Sequence, residues 1–206
     1  RGKVTQPCRR VQKPHARTAP TMGEDGHQRR HWQPKWTKRR APADAWFTQQ
    51  QRRGNLQTVT VALSPHQSVQ VYQANGDYGT RLWPSAKQLA QWFAANSDAD
   101  GLAGGLRVLE VGCGNGMCAI TLALAGCQVV ATDNDPQALK LTEAAAKAAG
   151  VSDRVRTVIF DICDARKPLP SDCDVLVAAD VMYSEVLASA LARRCEQAVT
   201  MGARAL

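Results

Sequence analysis

The sequence predicts an α/β domain in which helices cover a mainly parallel sheet. Strand-like apolar runs alternate with helix-like segments between residues 106 and 200. A glycine-rich loop at residues 112–116 separates the first of these runs from its helix, and acidic residues follow the strands. Such alternation is typical of parallel sheets, because parallel strands are joined by helical crossovers.

The segment from residue 106 to residue 135 carries most of this prediction. Residues 106–111 are rich in Val and Leu, which indicates a buried strand. Residues 117–125 form a helical stretch that Gly126 would end, and residues 127–132 form a second strand. This strand–loop–helix–strand unit is the outline of a nucleotide-type cofactor site.

The glycine loop suits a bound ligand. Gly112, Gly114 and Gly116 permit positive φ and close approach, because they lack a Cβ. The loop leads into a helix N-terminus, whose free N–H groups favour polar or negative ligand groups. Asp133 follows the second strand and could accept hydrogen bonds from the two hydroxyls of a ribose. The alternative is a tight strand–helix turn without a ligand.

Two details argue against a dinucleotide. The third glycine comes two places after the second, whereas the dinucleotide fingerprint G-x-G-x-x-G needs three. Glu110 stands just before the loop, where it would repel a pyrophosphate but could suit a cationic ligand.

Periodicity and turn residues predict the remaining elements. They are a hairpin at 56–63 and 68–72, helices at 84–95, 137–149 and 185–200, and strands at 155–160 and 174–179. Residues 202–206 look like the start of another strand. We therefore expect the chain to be a fragment that lacks the C-terminal strands of its sheet.

Charge divides the chain into two expected parts. Residues 1–54 have a balance of +11 (14 Lys and Arg against 3 Asp and Glu), and residues 55–206 have a balance of −3 (12 against 15). Residues 1–54 lack hydrophobic periodicity and are predicted to be a basic, disordered tail. Its Trp residues, interleaved with basic ones, leave nucleic-acid contact open, and an organelle transit segment is a further alternative.

The seven cysteines contain no C-x-x-C pair, so we expect small core thiols in a reducing compartment and no metal site. No apolar run reaches the length of a membrane span. We expect a cytoplasmic monomer, with the nucleus or an organelle possible if the tail is a targeting signal.

Two motifs support a family resemblance. The sequence E-V-G-C-G-N-G at residues 110–116 resembles motif I of the seven-strand S-adenosylmethionine-dependent methyltransferases. With the hairpin, Trp83 and the D-x-x-Y of Asp180 and Tyr183, residues 56–200 resemble the protein lysine methyltransferases often called methyltransferase family 16. The resemblance implies a Rossmann-like class I methyltransferase sandwich with an N-terminal β-hairpin, the core strand order 3-2-1-4, and S-adenosyl-L-methionine as cofactor.

The same resemblance implies roles for individual residues. Asp161, with Asp164 as the alternative, would reach the adenine amino group. Ile162 or Cys163 occupies a region where the family often has an aromatic residue. Asp180 and Tyr183 would orient the incoming amine, and no metal is required. The implied cofactor-binding set is Trp83, Glu110, Gly112, Gly114, Gly116, Asp133, Asn134, Asp161, Ile162 and Ala179.

The implied activity is methyl transfer to an amine, with a protein lysine as the acceptor. Two alternatives remain open. One is a small-molecule or RNA N-methyltransferase, and the other is a truncated, non-catalytic cofactor-binding domain. The N/D-P-P-Y/F tetrapeptide of many methyltransferases that act on nucleic-acid bases is missing after the fourth strand, which argues against that class.

Overall fold

A computed structural model describes residues 43–75, 78–96 and 104–206. Within these ranges the chain forms five α-helices, a short 3-10 helix (Tyr78–Thr80) and seven strands. Most of these elements lie where the sequence predicts them. The helices are α1 (Ala43–Arg52), α2 (Pro84–Asn96), α3 (Met117–Leu124), α4 (Pro136–Ala148) and α5 (Glu185–Thr200). The strands are β1 (Leu56–Ser64), β2 (Gln67–Ala74), β3 (Arg107–Val111), β4 (Gln128–Asp133), β5 (Val155–Ile159), β6 (Val175–Ala178) and β7 (Arg204–Ala205).

The main sheet has the order β5-β4-β3-β6-β7, and its neighbouring strands pair in parallel. This confirms the predicted α/β fold and the order 3-2-1-4 of the four core strands. Strand β7 adds a fifth strand beside β6, within the segment predicted to start a strand. Strands β1 and β2 form the predicted antiparallel hairpin as a separate sheet.

The two faces of the sheet are covered by two apolar clusters. Val108 of β3 belongs to the cluster that α2, α3 and the hairpin cover, whereas Leu109 and Val111 face the cluster that includes Leu191 of α5. Successive side chains of a strand point to opposite faces, so burial on both faces explains the continuous apolar sequence of β3. The described cysteines are free thiols, and four are buried as predicted: Cys113, Cys118, Cys127 and Cys173.

Two helices begin at side-chain caps. The Asp135 carboxylate accepts a hydrogen bond from the Gln137 N–H at 2.8 Å, and Pro136 takes the first position of α4. The Ser184 hydroxyl accepts one from the Leu187 N–H at 3.3 Å, at the start of α5. These caps satisfy N–H groups that a helix leaves unpaired in its first turn. Both helices follow strand ends, so the caps lie near the predicted site.

The prediction that residues 1–54 form a disordered tail is wrong for its last part. Helix α1 contacts the folded domain, because Phe47 packs edge-to-face on Tyr72 with ring centroids 4.8 Å apart, and the ammonium of Lys140 lies 5.1 Å from the centre of the Trp46 ring. The many Gln and Arg residues around these aromatics hide a short apolar face from a composition argument. Residues 1–42 lie outside the described residues, and the nucleic-acid contact of the tail stays a prediction.

No helix within the described ranges has the length and apolar character needed to cross a membrane.

We expect Phe47→Ala to lower the free energy of unfolding by about 1–2 kcal/mol, because the half-buried ring packs on the hairpin. Urea denaturation would measure the change. Thr48→Ala, at an exposed neighbouring position, is the matched control and should change stability by less than about 0.5 kcal/mol. Equal stability of the two variants would show that α1 does not pack on the domain in solution.

Candidate active site

Four acids lie at or just beyond the carboxyl ends of strands in the main sheet, and we call this side of the sheet the acidic edge. Asp133 is the last residue of β4, Glu110 is the next-to-last residue of β3, and Asp161 and Asp180 follow β5 and β6 by two residues each. Because these strands are parallel, their carboxyl ends meet at the same edge, where ligands of open α/β sheets bind. The alternation of strands and helices therefore gathers acids that are up to 70 residues apart in the sequence.

The glycine loop is bent by positive φ angles of 68° at Gly112, 52° at Gly114 and 82° at Gly116. Two side chains from outside the loop hold it. The Asp133 carboxylate accepts a hydrogen bond from the Gly114 N–H at 2.9 Å, and the Thr142 hydroxyl donates to the Gly114 carbonyl at 3.1 Å. The loop is thus fixed to β4 and to α4 on the side of the predicted ribose-binding acid.

Gly112 also lets the glycine loop and the segment after β6 come together. A Cβ at Gly112 would lie 2.7 Å from the Cγ2 atom of Val181, which is too close for any side chain. Val181, next to Asp180, is buried with 8% of its surface exposed. The glycine therefore lets the segment after β6 pack directly on the loop after β3, so motif I and the D-x-x-Y segment are in contact.

Asp133 is 8% exposed, and its second oxygen accepts a hydrogen bond from the Asp135 N–H at 2.9 Å. Burial raises the pKa of Asp133, although the backbone N–H groups of Asp135 and Gly114 oppose the change. A carboxylate offers about four lone-pair sites, so these two bonds leave room for the hydroxyls of a ribose. The residue thus fits the cofactor that the resemblance implies.

Glu110 is 2% exposed, and burial raises its pKa to about 8. The charge of Asp133 adds to this increase, while hydrogen bonds from the Ala119 backbone N–H and the Cys118 thiol oppose it. Its Oε2 atom is buried without a hydrogen-bond partner, and so is the Nδ2 atom of Asn115 in the same loop. An unpartnered acceptor and an unpartnered donor fit the ammonium and carboxylate groups of an amino-acid tail.

The other predicted cofactor residues differ in exposure. Asn134 and Asp161 are exposed, Ala179 and Trp83 are half-buried, and Ile162 is buried in the core cluster on the α5 side. The Asp161 carboxylate accepts a hydrogen bond from the Cys163 N–H at 2.8 Å, within its own turn. These residues surround the acidic edge, apart from Trp83, which precedes α2. Their roles toward the cofactor stay predictions.

Asp180 has an unusual backbone. Its φ is +58°, and among the described residues it is the one non-glycine residue with positive φ. Asp tolerates this region better than most residues, but such conformations concentrate at functional sites. Asp180 is exposed, and Tyr183 is 75% exposed. Both side chains are therefore available to an incoming molecule.

Sequence reasoning missed three residues of this site. Asn115 stands inside the G-C-G-N-G loop, so its place in the motif could have identified it. Val181 and Thr142 act by packing on glycines, at Gly112 and Gly116, and no local pattern predicts such contacts. They become visible only once the strand order is known.

We expect Gly116→Ala to destabilise the fold more than Gly150→Ala does, because only the first adds a clash. Both glycines have positive φ, 82° and 73°, but a Cβ at Gly116 would lie 2.7 Å from Thr142, whereas Gly150 has open space. The left-handed backbone alone costs about 1–2 kcal/mol, and crowding adds about 1–3 kcal/mol at Gly116. Urea denaturation of the two variants would measure the difference. Equal losses would contradict a close packing of Thr142 on the loop.

We expect stability to fall as pH rises from about 5 to about 8, and Glu110→Gln to remove much of that slope. The unfolded side chain ionises near its ordinary pKa of 4.5, whereas the folded one keeps its proton until about 8. Over that range the folded state binds more protons, so unfolding becomes easier by up to roughly 5 kcal/mol, and the loss is complete above pH 8. Urea titrations at several pH values would measure this, and identical slopes for both proteins would exclude a protonated Glu110.

Comparison with known proteins agrees with this geometry. A family model described as lysine methyltransferase matches residues 64–204. Ribosomal protein L11 methyltransferases from Enterobacter sp. (strain 638) and Salmonella arizonae are each 33% identical over 116 residues, 55% of this chain. The match covers 34% of each relative, so the chain spans about a third of the length of these curated relatives.

Solved structures are similar over a comparable part of the chain. An S-adenosylmethionine-dependent methyltransferase from Agrobacterium tumefaciens has a TM-score of 0.47 at 18% identity, and the match covers 61% of this chain and 39% of that one. TrmN from Thermus thermophilus has a TM-score of 0.44 at 27% identity, and the match covers 55% and 34%. With a family model that matches well over half of its residues, the chain belongs to the lysine methyltransferase family, and this membership implies S-adenosylmethionine as its cofactor.

Proposed function

We propose that this chain transfers a methyl group from S-adenosylmethionine to the side-chain amine of a lysine in a protein. The observation that carries the proposal is the contact between motif I and the D-x-x-Y segment, through Val181 and Gly112. It brings the candidate amine-orienting acid, Asp180, to the loop that would hold the cofactor.

The comparisons favour a protein as the acceptor. The matching family model is described as lysine methyltransferase, and the curated relatives are named for methylation of a ribosomal protein. The surface beside Asp180 agrees with this, because Met182, Tyr183 and Val186 are 69%, 75% and 68% exposed. Large exposed apolar side chains next to an acid suit a peptide segment that carries a lysine better than a small polar molecule.

The residues of the candidate site would mainly bind the cofactor and position the lysine. S-adenosylmethionine supplies the methyl group, bonded to a positively charged sulfur. Asp133 would hold the ribose, and Glu110 with Asn115 would hold the amino-acid tail. Asp180 would accept a hydrogen bond from the lysine nitrogen and orient it as its proton leaves to water, and Tyr183 would offer a hydroxyl or a ring face for the cation. Such positioning can supply much of the rate gain of a displacement reaction.

The first experiment is calorimetric binding of S-adenosylhomocysteine, with Asp133→Asn as control. Binding in the micromolar range that weakens at least about tenfold in the variant would support the cofactor site. Transfer of a labelled methyl group to lysine-containing peptides, and to free lysine and RNA, would then identify the acceptor class. Transfer to RNA alone would contradict the protein-lysine proposal, and a folded chain that binds no S-adenosylhomocysteine would be a non-catalytic domain.

We expect Asp180→Asn to lower methyl transfer by about 100-fold or more, with the affinity for S-adenosylhomocysteine changed less than about threefold. Asn tolerates the left-handed backbone at this position, so the variant removes the charge without adding strain. A hundredfold loss corresponds to about 2.7 kcal/mol, a typical value for one charged contact made to the reacting group. A labelled-methyl assay under saturating cofactor would measure it.

Glu185→Gln is the matched control, because it removes an exposed negative charge five residues away, in the first turn of α5. It should keep more than about half of the activity, since an exposed charge at that distance is well screened. Full activity of Asp180→Asn would overturn the role of Asp180. A parallel loss of cofactor affinity would place Asp180 among the cofactor-binding residues instead.

A further inference from the structure

Arg194 of α5 is a buried cation that the proposed reaction does not use. Only 1% of its surface is exposed. Its guanidinium donates hydrogen bonds to the Ile162 carbonyl at 3.1 Å, the Asp164 carbonyl at 2.6 Å and the Lys167 carbonyl at 2.8 Å. It also donates to the Gln197 side-chain oxygen at 2.8 Å and lies 4.9 Å from the centre of the Phe160 ring.

A buried guanidinium destabilises the fold unless hydrogen bonds replace the ones that it would make with water. Removing a guanidinium from water carries a large penalty, and only well-aligned hydrogen bonds offset it. Arg suits this position because its planar fork of five N–H donors can reach several acceptors at once, which an ammonium group does less well. The loop after β5 therefore has one favoured conformation, in which three of its carbonyls point at the same side chain.

That loop carries the residues predicted to meet the adenine. Ile162, whose carbonyl Arg194 binds, follows Asp161 directly, and Asp161 is itself held by the N–H of Cys163. Helix α5, which carries Arg194, begins right after the segment of Asp180 and Tyr183. Arg194 thus connects the loop of the candidate adenine site to the helix of the candidate acceptor site.

We propose that Arg194 is a positioning residue that fixes the loop at residues 161–167 so that the loop can discriminate adenine from other purines. The proposal rests on the cofactor site proposed above and on the role that the family resemblance implies for Asp161, which would accept a hydrogen bond from the adenine amino group. Hypoxanthine has a carbonyl oxygen at that position, which would face the Asp161 carboxylate unfavourably. Discrimination is strong only when the acid is held in place.

The test compares the affinities for S-adenosylhomocysteine and S-inosylhomocysteine, measured by calorimetry on the full chain. We expect the natural protein to prefer the adenine compound by about tenfold or more. Arg194→Lys keeps the charge but loses the fork, and it should reduce this preference by at least about threefold. Gln197→Ala removes one exposed partner of Arg194 and should reduce it in the same direction by less, in a protein that keeps its fold.

Arg107→Met is the control for a purely structural effect. Arg107 of β3 pairs with Asp174 at 2.7 Å, at the opposite edge of the sheet. This variant should lower the melting temperature but leave the preference for adenine unchanged. If Arg194→Lys lowers the melting temperature and also leaves the preference unchanged, Arg194 has only a structural role and the proposal is overturned.

A double-mutant cycle separates this proposal from the role of Asp161. Asp161→Asn should reduce the preference, and the double variant with Arg194→Lys should lose little more, because both changes act on one contact. Additive losses would overturn the proposal. If Arg194→Lys reduces the preference and Asp161→Asn does not, the loop discriminates through other groups and only the role of Asp161 fails. If neither compound binds the folded protein, both the proposed cofactor site and this inference fail.

Discussion

The hydrogen bond from the Gly114 N–H to the Asp133 carboxylate is the contact on which the site depends. It joins the loop after β3 to the end of β4, two strands that pair in parallel. Since an unpaired buried carboxylate is costly, the bond also makes it possible to keep Asp133 at 8% exposure. The loop conformation and the position of the candidate ribose acid are therefore coupled through this hydrogen bond.

The two buried acids of the site, Glu110 and Asp133, oppose stability. Glu110 and Asp133 lie on neighbouring strands, both are buried, and burial raises the pKa of each. Replacing either by an apolar residue would remove a desolvation cost, as is common for charged groups retained at functional sites. The remainder of the sheet offsets this cost, because β3, β4 and β6 are rich in Val, Leu and Ala, which pack on both faces.

Much of the fold could be predicted from the sequence because its signals are local. The bounds of α5 are correct to the residue, since Ser184 is a recognisable cap and Gly202 follows the end of the helix. Helix α1 was missed, because its stabilising contacts, such as that between Phe47 and Tyr72, come from the hairpin and not from its own polar sequence. A prediction from composition cannot include partners that arrive from elsewhere in the chain.

The residue types of the candidate site could be predicted from the sequence, whereas the residues that hold them in place were harder to predict. The glycines and the strand-end acids stand in motifs, whereas Val181, Thr142 and Arg194 act through contacts with residues 26 to 69 positions away. These contacts depend on the strand order, which brings the loops after β3, β5 and β6 together at the carboxyl ends of the strands. Local sequence patterns therefore identify the residues that could contact a ligand, and the topology of the sheet determines which residues hold them in place.

Val181 and Arg194 also connect the candidate cofactor loops to the candidate acceptor segment. Val181 fits only because position 112 is glycine, and Asp180, immediately before it, takes a left-handed backbone. A shift of the glycine loop toward Val181 would press on that side chain, which follows Asp180 directly, because there is little free space in a close-packed interior. On the other side, Arg194 ties the loop after β5 to the helix that follows Tyr183. The candidate cofactor loops and the candidate acceptor segment are thus coupled through packed side chains, and under the proposed function this coupling would hold the cofactor and the acceptor in a fixed relative position.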